Sequence, residues 1–322
     1  MRMPVSRLTV RPSPVHWRAP LARRSNIRRP LRSQDVTMIS TSATVAWRSS
    51  PTPHSPETQS TPHHRGNYSQ RNGAMLGKER RLRRLFVGEK SRCLLSPLDH
   101  GGWLGPVKGL DRPVEIVRQV LAGGANAVLA SPGFLRAAAP ALRPDTGLVL
   151  RVSLTAGLSA QGTQETPIAQ VETALRLDAD AVAVSVFFGR AGDVEIYRWL
   201  ASLIRACEPY EMPVVAEMMP PEDRFFDAAA IAHAARIGME IGADVIKTNY
   251  CGDVARFAEI VQAVPVPIIV AGGPKTTPDT STLQLVADAL QAGAAGVAIG
   301  RRVWQADDPQ AMTRSIYEVM FA

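Results

Sequence analysis

The stretch IGADVIKTNYCGD, residues 241–253, decides how the chain folds. A glycine able to take a left-handed backbone stops a helix at Gly242, a small-residue turn follows, and Val245-Ile246-Lys247 reads as a short buried strand. The same phrase recurs as LAGGANAV from residue 121 and as QAGAAGV from residue 291. Working outward from these three, short apolar runs alternate with helical segments along the chain: LLSPLD (94–99), AVLAS (127–131), VLRVSL (149–154), AVAVSV (181–186), VVAEM (214–218), VIK (245–247), IIVAGG (268–273) and GVAIG (296–300). Each is too short for a globular helix and is bounded by Gly, Pro or Asp, as parallel strands buried on both faces should be.

The intervening segments carry helix signals. Asp111 precedes RPVEIVRQVL, where Val114, Val117, Val120 and Leu121 recur at helical spacing, and Ile168, Val171, Ala174 and Leu175 repeat the pattern. Thr166-Pro167 and Asp308-Pro309 read as N-caps followed by a first-turn proline. Eight βα units predict an α/β fold, a single closed (β/α)8 barrel over residues 75–322, because an open doubly wound sheet normally stops at about five to seven strands.

The 322-residue chain carries a formal charge of +8, but residues 1–74 hold 12 Arg and no Lys against only Asp35 and Glu57. That segment is therefore +10 and residues 75–322 are −2. Basicity belongs to the tail, so the folded part offers no charge-based argument for nucleic-acid binding. Stretches such as RPSPVHWRAP and SSPTPHSPETQS predict a disordered extension over residues 1–74. A transit peptide is one reading of it, opposed by its many prolines. The favoured reading is an upstream extension of the reading frame, with the working protein starting at Met75 in MLGKERRLRRLF. No run of about 18 apolar residues and no secretory segment occurs, which predicts a soluble protein with no membrane partner. Cys93, Cys207 and Cys251 are isolated, which disfavours a disulfide framework or structural zinc site and fits the cytoplasm.

Catalytic groups in such barrels lie at the C-terminal ends of the strands. Those tips carry Asp99 and His100 on the first run, Ser131 on the second, Glu217 on the fifth, Lys247 on the sixth, Gly272, Gly273 and Lys275 on the seventh, and Gly300 and Arg301 on the eighth. Bare backbone N–H groups of Gly272, Gly273 and Gly300 can converge on a phosphate, with Lys275 and Arg301 adding charge; ordinary βα turns would use the same glycines. Lys247 shares strand parity with Val245, so if Val245 points into the barrel Lys247 does too. Among aliphatic layers an ammonium loses hydration, which favours the neutral amine, and a neutral amine forms a Schiff base with a carbonyl. The bland alternative is a lysine that snorkels to solvent or pairs with Asp99. Asp99, with Glu217 as second candidate, would shuttle protons; structurally, either carboxylate would instead serve as an ion-pair partner.

Other chemistry has little support. No G-x-G-x-x-G follows the first strand, and GGPKTT lacks the glycine that precedes lysine in a P-loop, so no nucleotide cofactor is expected. Beyond the tail only His100 and His233 remain, too few for a His-rich metal site, so no metal is expected. Cys251 lacks a nearby His, and Trp103 and Trp304 read as packing residues as readily as substrate contacts.

The phrases PLDHGGWLGPVKGL, GGANAVLASPG, GADVIKTNYCGD, VAGGPK and AGVAIGRRVWQ, in this order, resemble the archaeal-type class I fructose-bisphosphate aldolases, a DeoC/LacD-like group. Their relatives include the 2-amino-3,7-dideoxy-D-threo-hept-6-ulosonate synthases and the autoinducer-2 phosphate thiolase. The resemblance covers about residues 75–322. It implies a Schiff-base lysine at Lys247, Asp99 as its acid-base partner, phosphate contacts at Gly272, Gly273, Gly300 and Arg301, a phosphorylated sugar or hydroxyketone substrate, no metal or cofactor, and a homo-oligomer. Two positions depart from the family pattern. Met219 stands where the aldolases usually carry a proton-donating tyrosine, and methionine has no proton to give. Glu217, of the same parity, is the expected substitute; the thiolase relatives also lack the tyrosine, which keeps transferase chemistry open beside aldol chemistry. A silent sugar-phosphate-binding barrel is the reading from a different class. Arg302 stands where the family commonly has asparagine.

Overall fold

The first described helix, Leu76–Leu85, turns Leu82 and Leu85 inward beneath a ring of strands. The structure is a computed structural model and describes residues 76–158, 164–273 and 281–322; the tail expected to be disordered and Lys275 lie outside these residues. Ten strands follow among the described residues: β1 (Cys93–Pro97), β2 (Ala127–Ala130), β3 (Gly147–Arg151), β4 (Ser153–Thr155), β5 (Glu165–Pro167), β6 (Ala181–Phe187), β7 (Val214–Met219), β8 (Val245–Thr248), β9 (Ile268–Ala271) and β10 (Gly296–Ala298). Eight of them close a parallel barrel in the order β1-β10-β9-β8-β7-β6-β3-β2. These are the eight apolar runs of the sequence.

Closure is made by β1 on β10, where Leu94 stands opposite Val297. The recurring helix-end phrase works as its composition demands. Gly124, Gly242 and Gly293 take φ of 109°, 106° and 94°, which L side chains adopt only with strain, so the chain reverses from helix into strand at each. At the other helix ends, Asp227, Asp253 and Asp308 accept hydrogen bonds from the N–H groups of Ala230, Arg256 and Ala311.

One sequence expectation fails locally. Thr166-Pro167 does not start a helix: both residues belong to β5, which pairs antiparallel with β4 as a hairpin at the end of β3. The helix begins at Val171, after Gln170 in extended backbone at the N-cap position. A proline tolerated at a first helical turn is equally tolerated on an edge strand, and the two-stranded hairpin has only edges.

Side chains of one parity fill the barrel. Val149, Ala183, Val215, Val245 and Ile269 form an aliphatic layer packed on Leu82 and Leu85. The opposite parity, including Leu150, Val182, Ala216 and Ile246, packs outward against the helices in a second, larger core. Each fully buried aliphatic side chain of this kind contributes on the order of 1.5–3 kcal/mol.

Candidate active site

Because side chains alternate along a strand, the residue two places beyond each layer member must also face the barrel axis. Those residues are Arg151, Ser185, Glu217, Lys247 and Ala271, and all five line a cavity of about 630 Å³ at the C-terminal end of the barrel. The aliphatic filling therefore gives way to an ionic layer within one step along the strands.

Arg151 stands at the centre of that layer. Its side chain is 9% exposed, and each of its three nitrogens is engaged. Nε donates to Asp99 Oδ2 at 2.6 Å, Nη1 to Ser185 Oγ at 2.5 Å, and Nη2 to Glu217 Oε2 at 2.8 Å. Ser185 Oγ also bonds Glu217 Oε2, and the other Glu217 oxygen pairs with Lys247 Nζ. The chain Asp99–Arg151–Glu217–Lys247 alternates in sign, and all four residues are buried. Alternation is what lets four charges leave water together, since each is hydrogen-bonded to its opposite.

The electrostatic consequences follow from the order of charges. Burial by itself would raise the Glu217 carboxyl, but the Lys247 ammonium and the Arg151 guanidinium outweigh it and hold it down at about 2. Asp99 is likewise opposed by burial yet held well below the usual carboxylate range by Arg151 and His100. Burial would lower the Arg151 guanidinium, while Asp99 and Glu217 raise it. His100 Nδ1 lies 3.2 Å from Asp99 Oδ1, at an angle that leaves both atoms without a hydrogen bond. The His100 ring sits 5.9 Å from that of Trp304 and 6.4 Å from that of Trp103.

The sequence-derived site residues gather here with three corrections. Lys247 faces inward as its parity requires, but its nitrogen meets a carboxylate rather than the aliphatic ring expected around it. Its partner is Glu217, whereas Asp99 is taken by Arg151. Gly272, Gly273, Gly300 and Arg301 line the cavity, but the Gly272 N–H is spent on Ala298 O at 3.1 Å and is no free donor. The N–H groups of Gly273 and Gly300 make no hydrogen bond among the described residues. A β-carbon at Gly272 would stand 2.9 Å from Ile299 Cδ1, so that side-chain end would have to shift to admit one. The Arg301 guanidinium, pushed down by burial, has no ion pair or hydrogen bond among the described residues. Arg302 is outside the cavity lining and donates from Nε to Gly272 O at 2.8 Å, holding the glycine turn.

Ser131 starts the helix Pro132–Ala138 and does not line the cavity. Trp103 lines it and Trp304 packs beneath it. The Cys251 thiol is pushed up by burial and bonds Asp253 O, as packing predicts. Met219 lines the cavity two residues beyond Glu217. Among the described residues no group of three or more His, Cys, Asp or Glu side chains could hold a metal ion, and no described helix is long and apolar enough to cross a membrane.

Sequence reasoning missed Arg151, although the signal was present: VLRVSL places a cation inside an apolar run, the same anomaly that singles out Lys247 in VIK. It also missed Ser185, a serine in AVAVSV that nothing but its partners distinguishes.

Comparison with known proteins agrees with this architecture. The sequence profile of the DeoC/LacD family aldolases matches residues 93–306. A 2-amino-4,5-dihydroxy-6-oxo-7-(phosphonooxy)heptanoate synthase of Streptomyces griseus is 34% identical over 250 residues, covering 77% of this chain and 91% of its own. A 2-amino-3,7-dideoxy-D-threo-hept-6-ulosonate synthase of Halobacterium salinarum is 38% identical, covering 76% and 91%. Among solved structures, an archaeal fructose-1,6-bisphosphate aldolase with its catalytic lysine covalently bound to the carbinolamine intermediate superimposes with a TM-score of 0.68 at 27% identity, covering 76% of this chain and 100% of that one.

Proposed function

This chain belongs to the DeoC/LacD family of aldolases, and on that premise we propose that it joins a phosphorylated ketone to an aldehyde, or splits the product, through a Schiff base at Lys247. The observation that carries the reading is the position of Lys247: it is inward-facing and buried at the floor of a cavity that also holds both glycine tips and Arg301, which has no ion pair among the described residues. A half-buried guanidinium gains from an anion beside it, and a substrate phosphate would supply one while accepting hydrogen bonds from the N–H groups of Gly273 and Gly300, which have no partner among the described residues.

In this reading Glu217, in contact with Nζ, takes the Lys247 proton as the ketone arrives. The freed amine adds to the carbonyl, and loss of water leaves the iminium, an electron sink. Removal of a proton from the adjacent carbon gives an enamine, which attacks the aldehyde carbon; the new alkoxide takes a proton, and water releases Lys247. Asp99, tied to Arg151, and Glu217 are the two carboxylates available for these transfers. Glu217 fills the part that Met219 cannot play.

The relatives' names favour bond formation onto an amino-acid aldehyde as the finer reading. Cutting 2-amino-4,5-dihydroxy-6-oxo-7-(phosphonooxy)heptanoate between carbons 4 and 5 gives dihydroxyacetone phosphate and 2-amino-4-oxobutanoate with no atom left over. For this chain the first would form the imine and the second would accept its enamine.

Borohydride treatment with dihydroxyacetone phosphate should fix a reduced adduct on the peptide carrying Lys247, read by mass spectrometry. Failure to label Lys247 with any of a panel of phosphorylated ketones, or labelling of a different lysine, would overturn the proposal.

A further inference from the structure

The cavity has two ends of opposite electrostatic character. Its floor carries Arg151, Lys247 and Arg301 against Asp99 and Glu217, a surplus of one positive charge. Among the described residues its rim carries Glu165, Glu222, Asp223 and Asp227 against Arg190 and Arg224, a surplus of two negative charges. A second phosphate at the rim, as in a sugar bisphosphate, would bring a dianion into this acidic surround. An acceptor carrying both charges would not meet that repulsion.

Arg190 and Glu222 are arranged to receive such an acceptor. The Arg190 guanidinium carbon lies 4.2 Å from the centre of the Phe187 ring, which supports it from below. Both of its hydrogen bonds, Nε at 3.1 Å and Nη2 at 2.6 Å, fall on one oxygen of Glu222, so its Nη1 edge and Glu222 Oε2 are without partners among the described residues. The Glu222 side chain is 71% exposed and the Arg190 side chain 24%, so the carboxylate can shift at little cost while the guanidinium stays seated.

The spacing fits. Ser185 is in register with Glu217, and Glu217 with Lys247, whereas Phe187 is in register with Met219, two residues further along. Two strand residues rise about 6.6 Å. In the seven-carbon product the head carbon is five bonds from the carbon held by Lys247, about 6 Å when extended by backbone-like bond geometry.

We infer that Arg190 and Glu222 form the specificity site for the acceptor, with Arg190 binding the α-carboxylate and Glu222 the α-ammonium of an amino-acid aldehyde. This rests on the reading that Lys247 carries the phosphorylated ketone. The test uses the full chain, dihydroxyacetone phosphate as donor, and three acceptors: 2-amino-4-oxobutanoate, glyceraldehyde and glyceraldehyde 3-phosphate. Wild type should prefer the amino-acid aldehyde over either other acceptor by at least about tenfold in kcat/KM. Arg190→Met and Glu222→Gln should each lower the ratio of kcat/KM for the amino-acid aldehyde to that for glyceraldehyde by 10- to 100-fold. A preference for glyceraldehyde 3-phosphate, or an unchanged ratio in both variants, overturns the assignment. Binding of 2-aminobutanoate, which has the head but no aldehyde, is read in parallel by ligand-detected NMR. Binding by wild type that is lost in Arg190→Met supports the rim site even if borohydride fails to label Lys247, an outcome that sinks only the parent reading; no binding by wild type, with Lys247 labelled, sinks the rim site alone.

Discussion

Replacing Arg151 by methionine tests the ionic layer directly. Methionine keeps much of the aliphatic bulk and removes the guanidinium, so Asp99 and Glu217, each 7% exposed, lose the cation between them and keep Lys247 beside Glu217 and the His100 ring beside Asp99. Removing one partner of a buried ion pair costs on the order of 3–5 kcal/mol, because the other charge stays buried without compensation. For a folded unit of about 250 residues each kcal/mol moves the midpoint by about 2–4 °C, so Tm should fall by roughly 6–20 °C. The deficit should depend on pH. In wild type the two carboxyls are held below their unfolded values, so their stabilisation is present near neutrality and fades as pH falls toward about 2 for Glu217. In the variant burial dominates and raises the carboxyls, so the folded state recovers at acid pH. The gap between the two proteins should therefore narrow from pH 8 to pH 4, as followed by thermal unfolding in circular dichroism. Adding Glu217→Gln to Arg151→Met should restore part of the loss, since a neutral amide replaces the orphaned carboxylate. A fall in Tm below about 2 °C, or a gap that widens on acidification, would refute the reasoning.

Glu217→Gln alone should flatten the acid limb of the stability curve between about pH 4.5 and 2, measured by denaturant titration, because the carboxyl held at about 2 is the group that titrates there. The same variant should lower kcat by about 10²–10⁴ if Glu217 carries protons, with borohydride labelling of Lys247 slowed in parallel. Arg301→Met should raise KM for dihydroxyacetone phosphate by roughly tenfold or more, while leaving KM for the unphosphorylated ketone within about twofold, as charge-assisted bonds to an anion contribute about 1.5–3 kcal/mol. Gly242→Ala should cost about 1–2 kcal/mol in chemical denaturation from backbone strain alone, its added methyl meeting nothing closer than 3.5 Å; Gly124→Ala should cost more, since its methyl would stand 2.7 Å from the Tyr317 ring.

The sequence by itself determined the barrel and half of its site. Glycines at 124, 242 and 293 end helices because of their own backbone freedom, and eight short apolar runs exceed the usual strand number of an open sheet, so each element was readable from local chemistry. Lys247 was readable for the same reason: parity is a local property, and it carries inward from Val245. Thr166-Pro167 misled because the same dipeptide suits a helix start and an edge strand, and only the hairpin partner distinguishes them. What tertiary structure alone decided is who neutralises whom. Arg151 meets Asp99, Ser185 and Glu217 across 52, 34 and 66 residues of chain, and those separations become hydrogen-bond distances only when the barrel closes. An ion pair is set by distance in space, which no window along the chain contains, so the sequence could name Lys247, Asp99 and Glu217 and the closed barrel had to choose their partners.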